Sequence, residues 1–160
     1  LDPPYPRRSD PRESSRTLLC LAGAYAHENA EVEEARYWAA GATALRLEHE
    51  ERIYEVFSPI NHPLGLPSHQ DAVDVPKHFD AWEAIDKTWL DSCYALCVLT
   101  LEGWRDSTGV SAEIEYVDGT IPIFALDPTT LNTYRDPRNA PTVAPGDVPT
   151  VLGDDESEER

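Results

Sequence analysis

The sequence contains no methionine, only two lysines and three cysteines, and no long apolar run. Apolar stretches such as residues 95–99 are far shorter than the roughly 20 residues that cross a bilayer, which excludes a membrane-spanning helix. No charged and then apolar signal segment opens the chain, and the lack of methionine at position 1 suggests a processed or trimmed start. We therefore expect a soluble protein with no membrane partner.

Basic residues are scarce: thirteen lysines and arginines stand against thirty acidic residues, for a formal net charge of −17. A charge of this sign and size repels the phosphate backbone of DNA and anionic membrane surfaces. Duplex nucleic acid is therefore excluded as a partner. The shortage of lysine, two against eleven arginines, suits either a high-GC genome or a salt-rich cytoplasm, and composition leaves both open.

The three cysteines, Cys20, Cys93 and Cys97, form an odd set in apolar surroundings. Such cysteines are typical of buried thiols in a reducing compartment. We expect free thiols and a cytoplasmic location in a bacterial, archaeal or phage-infected cell. Disulfide and metal roles are the alternatives.

The length of 160 residues fits one domain, and proline marks its limits. Four of the fourteen prolines lie in residues 1–16 and five lie in residues 127–160. The first segment also contains four arginines, and the last ends in an acidic run that repels itself. We predict a Pro/Arg-rich tail over 1–16, an α/β domain over 17–126, and a Pro-rich acidic tail over 127–160.

Strand and helix patterns alternate within the predicted domain. Continuous apolar runs predict strands buried on both faces, and capping residues followed by apolar residues at helical spacing predict helices. The predicted strands cover residues 17–23, 53–57, 94–101 and 121–126, and the predicted helices begin at Asn29, Asp80 and about Val110. The spacing predicts that Leu45 lies on the buried face of the first helix and Ile85 on that of the second. Pro122 suggests that the last strand is an edge strand.

This alternation predicts a small doubly wound α/β fold, with a parallel sheet of four to five strands and helices on both faces. Ligands of such sheets bind beyond the carboxyl ends of the strands. The loops at that edge are predicted to be 23–29, 58–80 and 102–109.

The third of these loops ends in Ser107-Thr108-Gly109, at the start of a predicted helix. A hydroxyl group and unpaired backbone N–H groups at a helix N-terminus bind anions even in an acidic protein, and phosphate is the natural candidate. The alternative for Ser107 is a plain helix cap.

Two acidic residues lie near the predicted cleft. Glu113 is on the helix that Ser107 opens, and Asp86 is on the preceding helix. Two carboxylates in one cleft divide the work of glycosidic cleavage, because one attacks or stabilises the sugar carbon while the other handles the proton of the leaving group. Each of them, taken singly, is also typical of a solvated helix surface.

Five blocks of sequence, taken in order over about residues 17–126, resemble the nucleoside 2-deoxyribosyltransferase-like superfamily, in particular a largely uncharacterised phage-type branch. They are Leu21-Ala22-Gly23-Ala24-Tyr25, Arg36, Val56-Phe57-Ser58-Pro59-Ile60-Asn61-His62, Trp82-x3-Asp86-x2-Trp89-Leu90, and Val98-Leu99-x3-Gly103-Trp104-x2-Ser107-x-Gly109-x3-Glu113. The resemblance implies a flavodoxin-like sheet without cofactor, assembled as a homodimer or higher homo-oligomer. It also implies cleavage or exchange of the N-glycosidic bond of a nucleoside or nucleotide, in nucleotide salvage or phage nucleotide metabolism.

The resemblance also implies roles for three residues. Glu113 is the nucleophile that attacks C1′ of the sugar, Asp86 protonates or positions the base, and Tyr25 places a hydroxyl group near the nucleophile. Ser107 stands where enzymes acting on free nucleosides have an acid. Because a hydroxyl group tolerates a phosphate that a carboxylate repels, a nucleoside 5′-monophosphate is the expected substrate and water the expected acceptor. Asp106, one position away, is an alternative for the missing acid.

The predicted substrate-binding residues are Gly23, Arg36, His62, Trp104, Ser107 and Gly109. Arg36 either pairs with a carboxylate in the cleft or is an exposed residue on the surface of its helix. His62 lines the pocket, and Trp104 contacts the base or packs in the core. No metal site is expected, because the spacing of His62, His69 and His78 matches no common zinc pattern.

A non-catalytic nucleotide-binding module, or a virion or regulatory component that uses the same cleft, is the alternative function. The presence of both Glu113 and Asp86 favours an enzyme.

Overall fold

The computed structural model describes residues 17–51, 54–61 and 79–149. For residue 51 and residues 79–82 it describes only the backbone. Its strands are β1 (Thr17–Ala22), β2 (Tyr54–Phe57), β3 (Ala95–Leu99), β4 (Ile123–Leu126) and β5 (Thr133–Tyr134). Its α-helices are α1 (Ala30–Glu51), α2 (Phe79–Leu90) and α3 (Thr108–Val117). None of the helices in these ranges is both long and apolar enough to cross a membrane.

The strands form one sheet in the order β2-β1-β3-β4-β5, in which only β5 is antiparallel to its neighbour. The predicted α/β fold with a parallel sheet is confirmed. The chain crosses from β1 to β2 on one side and then to β3 on the other, so strand order reverses between β1 and β3. The loops after these two strands flank the point where such folds bind ligands.

The edge position predicted for the last strand is wrong, because β5 pairs with β4 through the register Ala125 to Tyr134. Pro122 lies before β4, and its carbonyl accepts a hydrogen bond from Leu96 N at 2.9 Å. A proline can occupy this position because only its carbonyl is needed for pairing.

Two apolar clusters fill the core. The first combines Leu19, Leu21, Cys97, Leu99 and Leu126 of the strands with Ala39, Ala40 and Leu47 of α1. The second combines Cys20, Ala22, Leu96 and Val98 of the strands with Leu90 of α2 and with Val110 and Val117 of α3. Because successive side chains of a strand point to opposite faces, the clusters lie on opposite faces of the sheet.

On two helices, a residue that the apolar spacing predicts to be buried is exposed. Leu45 is 61% exposed on α1, and Ile85 is exposed on α2. The buried face of α2 instead presents Asp86 and Leu90, one turn apart. A polar residue inside a buried face is a departure from amphipathic patterning, which occurs at functional sites.

The prediction of three free thiols is wrong for two of them. Cys20 on β1 and Cys93 before β3 form a disulfide, with their Cα atoms 6.0 Å apart. Parallel pairing of β1 with β3 brings the two cysteines together, although 73 positions separate them in the sequence. Cys97 is buried and takes no part in this disulfide.

The folded domain continues past residue 126, where the C-terminal tail was predicted to begin. β5 pairs with β4, Val143 forms a bridge with Leu101, and Val148 is buried in the first cluster. The loop between β4 and β5 is fixed by Arg46 of α1, which donates hydrogen bonds to the carbonyls of Pro128 and Thr129. Residues 1–16 and 150–160 lie outside the described residues.

Candidate active site

Asp86 and Glu113 approach each other between α2 and α3. Glu113 lies one turn after Val110 and one turn before Val117, so it faces the same cluster as these two valines. Asp86 lies one turn before Leu90 on the neighbouring helix. The side chains are only 3% (Asp86) and 6% (Glu113) exposed. The structure therefore brings together the two carboxyl groups that the sequence singled out.

Neither carboxyl group is fully satisfied by the described residues. Asp86 Oδ1 and Glu113 Oε2 are buried atoms without a hydrogen-bond partner in that part of the chain. Burying an unpaired polar atom costs on the order of 1–3 kcal/mol, so such atoms usually mark a functional group or a ligand position.

The environment of the pair favours protonated carboxyl groups. Burial, and then the negative charge of Asp86, raise the pKa of Glu113 well above its ordinary value. Burial raises the pKa of Asp86 from 3.8 to about 6. These shifts favour a proton on Glu113, whose anion is disfavoured both by burial and by the charge of Asp86, whereas Asp86 ionises above about pH 6.

Ser107 is the N-cap of α3, as the alternative interpretation of this residue proposed. Its Oγ accepts a hydrogen bond from Val110 N at 3.3 Å. Because the hydroxyl group accepts this bond, its own proton remains able to donate to an anion. Gly109 is the second residue of the helix, close to the same N-terminus.

Arg36 is not an exposed residue of its helix, and the charges of Glu33 and Glu102 attract its guanidinium. Its side chain is buried, and its guanidinium donates hydrogen bonds to the carbonyls of Tyr25, Ala26 and Glu102 at 2.9–3.3 Å. The three bonds connect the loop after β1 to the loop after β3. A Cβ at Gly103, where φ is +85°, would lie 2.6 Å from Arg36 Nη2, so the close approach requires glycine. Arg36 therefore positions the two loops of the predicted ligand edge.

Replacing Arg36 with leucine should lower the free energy of unfolding by about 3 kcal/mol, because one buried and two partly buried hydrogen bonds from a charged donor are lost. Urea unfolding of the full chain measures the change. Arg135→Leu is the matched control, since Arg135 is exposed. Equal stability of the two variants would show that Arg36 does not hold the loops together.

Tyr25 and Gly23 serve packing at the end of β1. The Tyr25 ring is buried in the first cluster, whereas Glu113 is flanked by residues of the second. The predicted place of the Tyr25 hydroxyl group beside the nucleophile stays a prediction. A Cβ at Gly23 would lie 3.1 Å from Ile60 Cδ1, a tight contact that the isoleucine side chain would have to relieve by moving.

Trp104 is 7% exposed and packs in the second cluster. The Arg105 guanidinium lies 4.4 Å from the centre of its ring. A ring enclosed in this way offers no open face to a base, so of the two predicted roles of Trp104 the structure favours core packing. Its Nε1 is buried and has no hydrogen-bond partner among the described residues.

The predicted pocket residue His62 lies outside the described residues, as do His69 and His78. In the part of the chain that the structure describes, no group of three or more metal-ligating side chains comes together.

Residues beyond 126 support the site, although sequence reasoning assigned them to a tail. Val143 N donates to the carbonyl of Thr100, and Glu102 N donates to the carbonyl of Val143. Arg105 Nη2 donates to the carbonyl of Pro137 at 3.2 Å. These bonds fix the loop that leads into α3. The isolated apolar residues Val143 and Val148 were the only sequence evidence for this packing.

A family model described as a domain of unknown function (DUF1937) matches residues 18–124, which is more than half of the chain. The matched range contains the three α-helices of the described residues and therefore both Asp86 and Glu113. It ends before the C-terminal segment that supports the loop before α3. No curated protein matches the chain.

Proposed function

The chain belongs to this family, which is described only as a domain of unknown function (DUF1937), and we propose that it cleaves or exchanges the N-glycosidic bond of a (deoxy)nucleoside 5′-monophosphate. The observation that supports this function is the buried pair formed by Asp86 and Glu113, in which burial raises both pKa values and the charge of Asp86 further favours a proton on Glu113. A glycosidic bond needs one anionic and one protonated carboxyl group on its two sides, and this pair supplies both.

Because the proton is favoured on Glu113, we assign Glu113 as the proton donor of the proposed reaction. Glu113 donates its proton to a ring nitrogen of the leaving base, and the electron pair of the C1′–N bond goes to the base. The Asp86 carboxylate stabilises the positive charge that develops on the sugar. Water then adds to C1′ and returns a proton to Glu113, so that free base and sugar 5-phosphate are released. The family resemblance implies the opposite roles; we exchange them because the residue with the higher pKa retains the proton.

The N-terminus of α3 supports a phosphate-bearing substrate. The Ser107 hydroxyl accepts from Val110 N and keeps a proton to donate, and the helix dipole favours an anion at this end. Glu113 lies less than two turns further along the same helix. A sugar with its phosphate at Ser107 and its C1′ facing the carboxyl pair fits this separation. The proposed setting is cytoplasmic nucleotide salvage or phage nucleotide metabolism, with no cofactor.

Incubation of the full chain with each of the common ribo- and deoxynucleoside 5′-monophosphates tests this function. We expect at least one of them to release free base, detected by chromatography, and the corresponding nucleoside without phosphate to react more slowly. Calorimetric titration of the same nucleotides runs in parallel. Binding of a nucleotide without any release of base would overturn the proposal in favour of a binding module.

A further inference from the structure

The outward face of α1 contains the two most exposed large apolar side chains of the described residues. Leu45 is 61% exposed and Trp38 is 52% exposed. They are seven residues apart, which places them on one side of the helix. We call the residues on this side the α1 stripe: Glu31, Glu34, Trp38, Ala42, Leu45 and His49.

The α1 stripe lies opposite the face that α1 packs on the sheet. Ala39, Ala40 and Leu47 belong to the first cluster and anchor the helix. Among the described residues, the stripe belongs to neither apolar cluster, and it is separate from the carboxyl pair between α2 and α3. An exposed tryptophan and leucine in a chain of net charge −17 are typical of an interaction surface.

The order of residues along the stripe is self-complementary. If a second α1 crosses the first antiparallel, with a two-fold axis between Gly41 and Ala42, Trp38 of one copy faces Leu45 of the other. In the same register, the Glu34 carboxylate faces the His49 imidazole, which can donate a hydrogen bond to it. Ala42 is the stripe residue nearest the axis and its small side chain lets the helices approach closely, and the antiparallel helix dipoles attract.

We propose that the chain forms a two-fold symmetric homodimer in which the α1 stripes of two copies pack antiparallel, with Trp38 against Leu45 and Glu34 opposite His49. Because a two-fold axis repeats every contact, the interface contains two Trp38–Leu45 contacts and two Glu34–His49 contacts. The high negative charge of both copies opposes association over longer distances. Added salt screens this repulsion more than it weakens the apolar contacts, so dimerisation should strengthen with salt.

Sedimentation equilibrium of the full chain at several concentrations tests the apolar contacts. We expect a concentration-dependent dimer whose dissociation constant rises at least tenfold in Leu45→Glu, because a carboxylate then faces the Trp38 ring. Ile85→Glu is the matched control, since Ile85 is an exposed apolar residue on α2 and outside the stripe. Its dissociation constant should match that of the unmodified chain. Circular dichroism shows whether each variant is folded.

Exchange of the polar pair tests the register independently. Glu34→Arg and His49→Glu should each weaken the dimer several-fold, because Glu34→Arg removes the acceptor opposite His49 and His49→Glu places two acids opposite each other. The chain with both substitutions should recover the original dissociation constant. A chain that is monomeric at every concentration and salt, or a dimer that the stripe variants leave unchanged, would overturn the proposal. Neither result bears on base release, which depends on α2 and α3.

Discussion

Glu113→Gln should lower the rate of base release by at least about a hundredfold and, in the same protein, increase the free energy of unfolding at pH 8. Loss of a positioned proton donor typically costs a factor of about 10² to 10⁴ in rate. The stability gain arises because glutamine is nearly the same size as glutamate and has no charge to bury. Opposite effects on activity and stability are typical of a residue kept for function at a cost to folding.

The pH dependence of stability follows from the raised pKa values. A carboxyl group whose pKa is higher in the folded chain binds its proton more tightly there, so it stabilises the fold below its ordinary pKa. This stabilisation is lost as the pH rises through the folded-state pKa. For Asp86 the loss occurs between pH 3.8 and about 6 and amounts to on the order of 3 kcal/mol. For Glu113 it starts near pH 4.5 and continues to higher pH.

Urea unfolding at a series of pH values measures this effect. The unmodified chain should lose stability as the pH rises from 4 to 8, and Glu113→Gln should show a flatter curve. Glu115→Gln is the matched control, because Glu115 lies on the same helix and is exposed. If the free energy of unfolding depends on pH in the same way in Glu113→Gln and Glu115→Gln, the conclusion that Glu113 is buried and titrates is wrong.

A leaving group that needs no proton distinguishes the two carboxyl groups. On a 4-nitrophenyl glycoside of (deoxy)ribose 5-phosphate, Glu113→Gln should retain most of its activity, because nitrophenolate departs without a proton donor. Asp86→Asn should be inactive on both this compound and the nucleotide. The reverse result would restore Glu113 as the nucleophile, which is the role that the family resemblance implies.

Four of the five strands in the described residues and their parallel arrangement could be predicted from local pattern, and the buried face of α2 could not. Apolar spacing favoured Ile85, which the structure exposes, and assigned no special place to its neighbour Asp86. The reason is that periodicity counts apolar residues, whereas a functional helix buries a carboxyl group. The blocks of the resembled family identified Asp86 because they record position rather than hydrophobicity.

Long-range contacts explain the other differences. Arg36 contacts carbonyls at Tyr25 and at Glu102, 66 positions away, and no local pattern encodes such a pairing. The segment after residue 126 contains prolines, few apolar residues and no regular period, so it resembled a tail. It packs because short stretches pair with elements that are already in place: β5 pairs with β4, and Val143 pairs with the end of β3.

Reduction of the Cys20–Cys93 disulfide should lower the free energy of unfolding by about 4 kcal/mol. The cysteines are 73 positions apart, and a cross-link that closes a loop of this length removes much of the conformational freedom of the unfolded chain. Urea unfolding with and without a thiol reductant measures the loss. Cys97→Ala is the control, because it should lose a similar amount on reduction, whereas Cys20→Ala and Cys93→Ala should lose none. Thiol titration of the urea-unfolded chain, purified without reductant, should find one reactive thiol. Three reactive thiols would instead support the expectation from the sequence that all three cysteines are free, and would place the chain in the reducing compartment that its composition suggested.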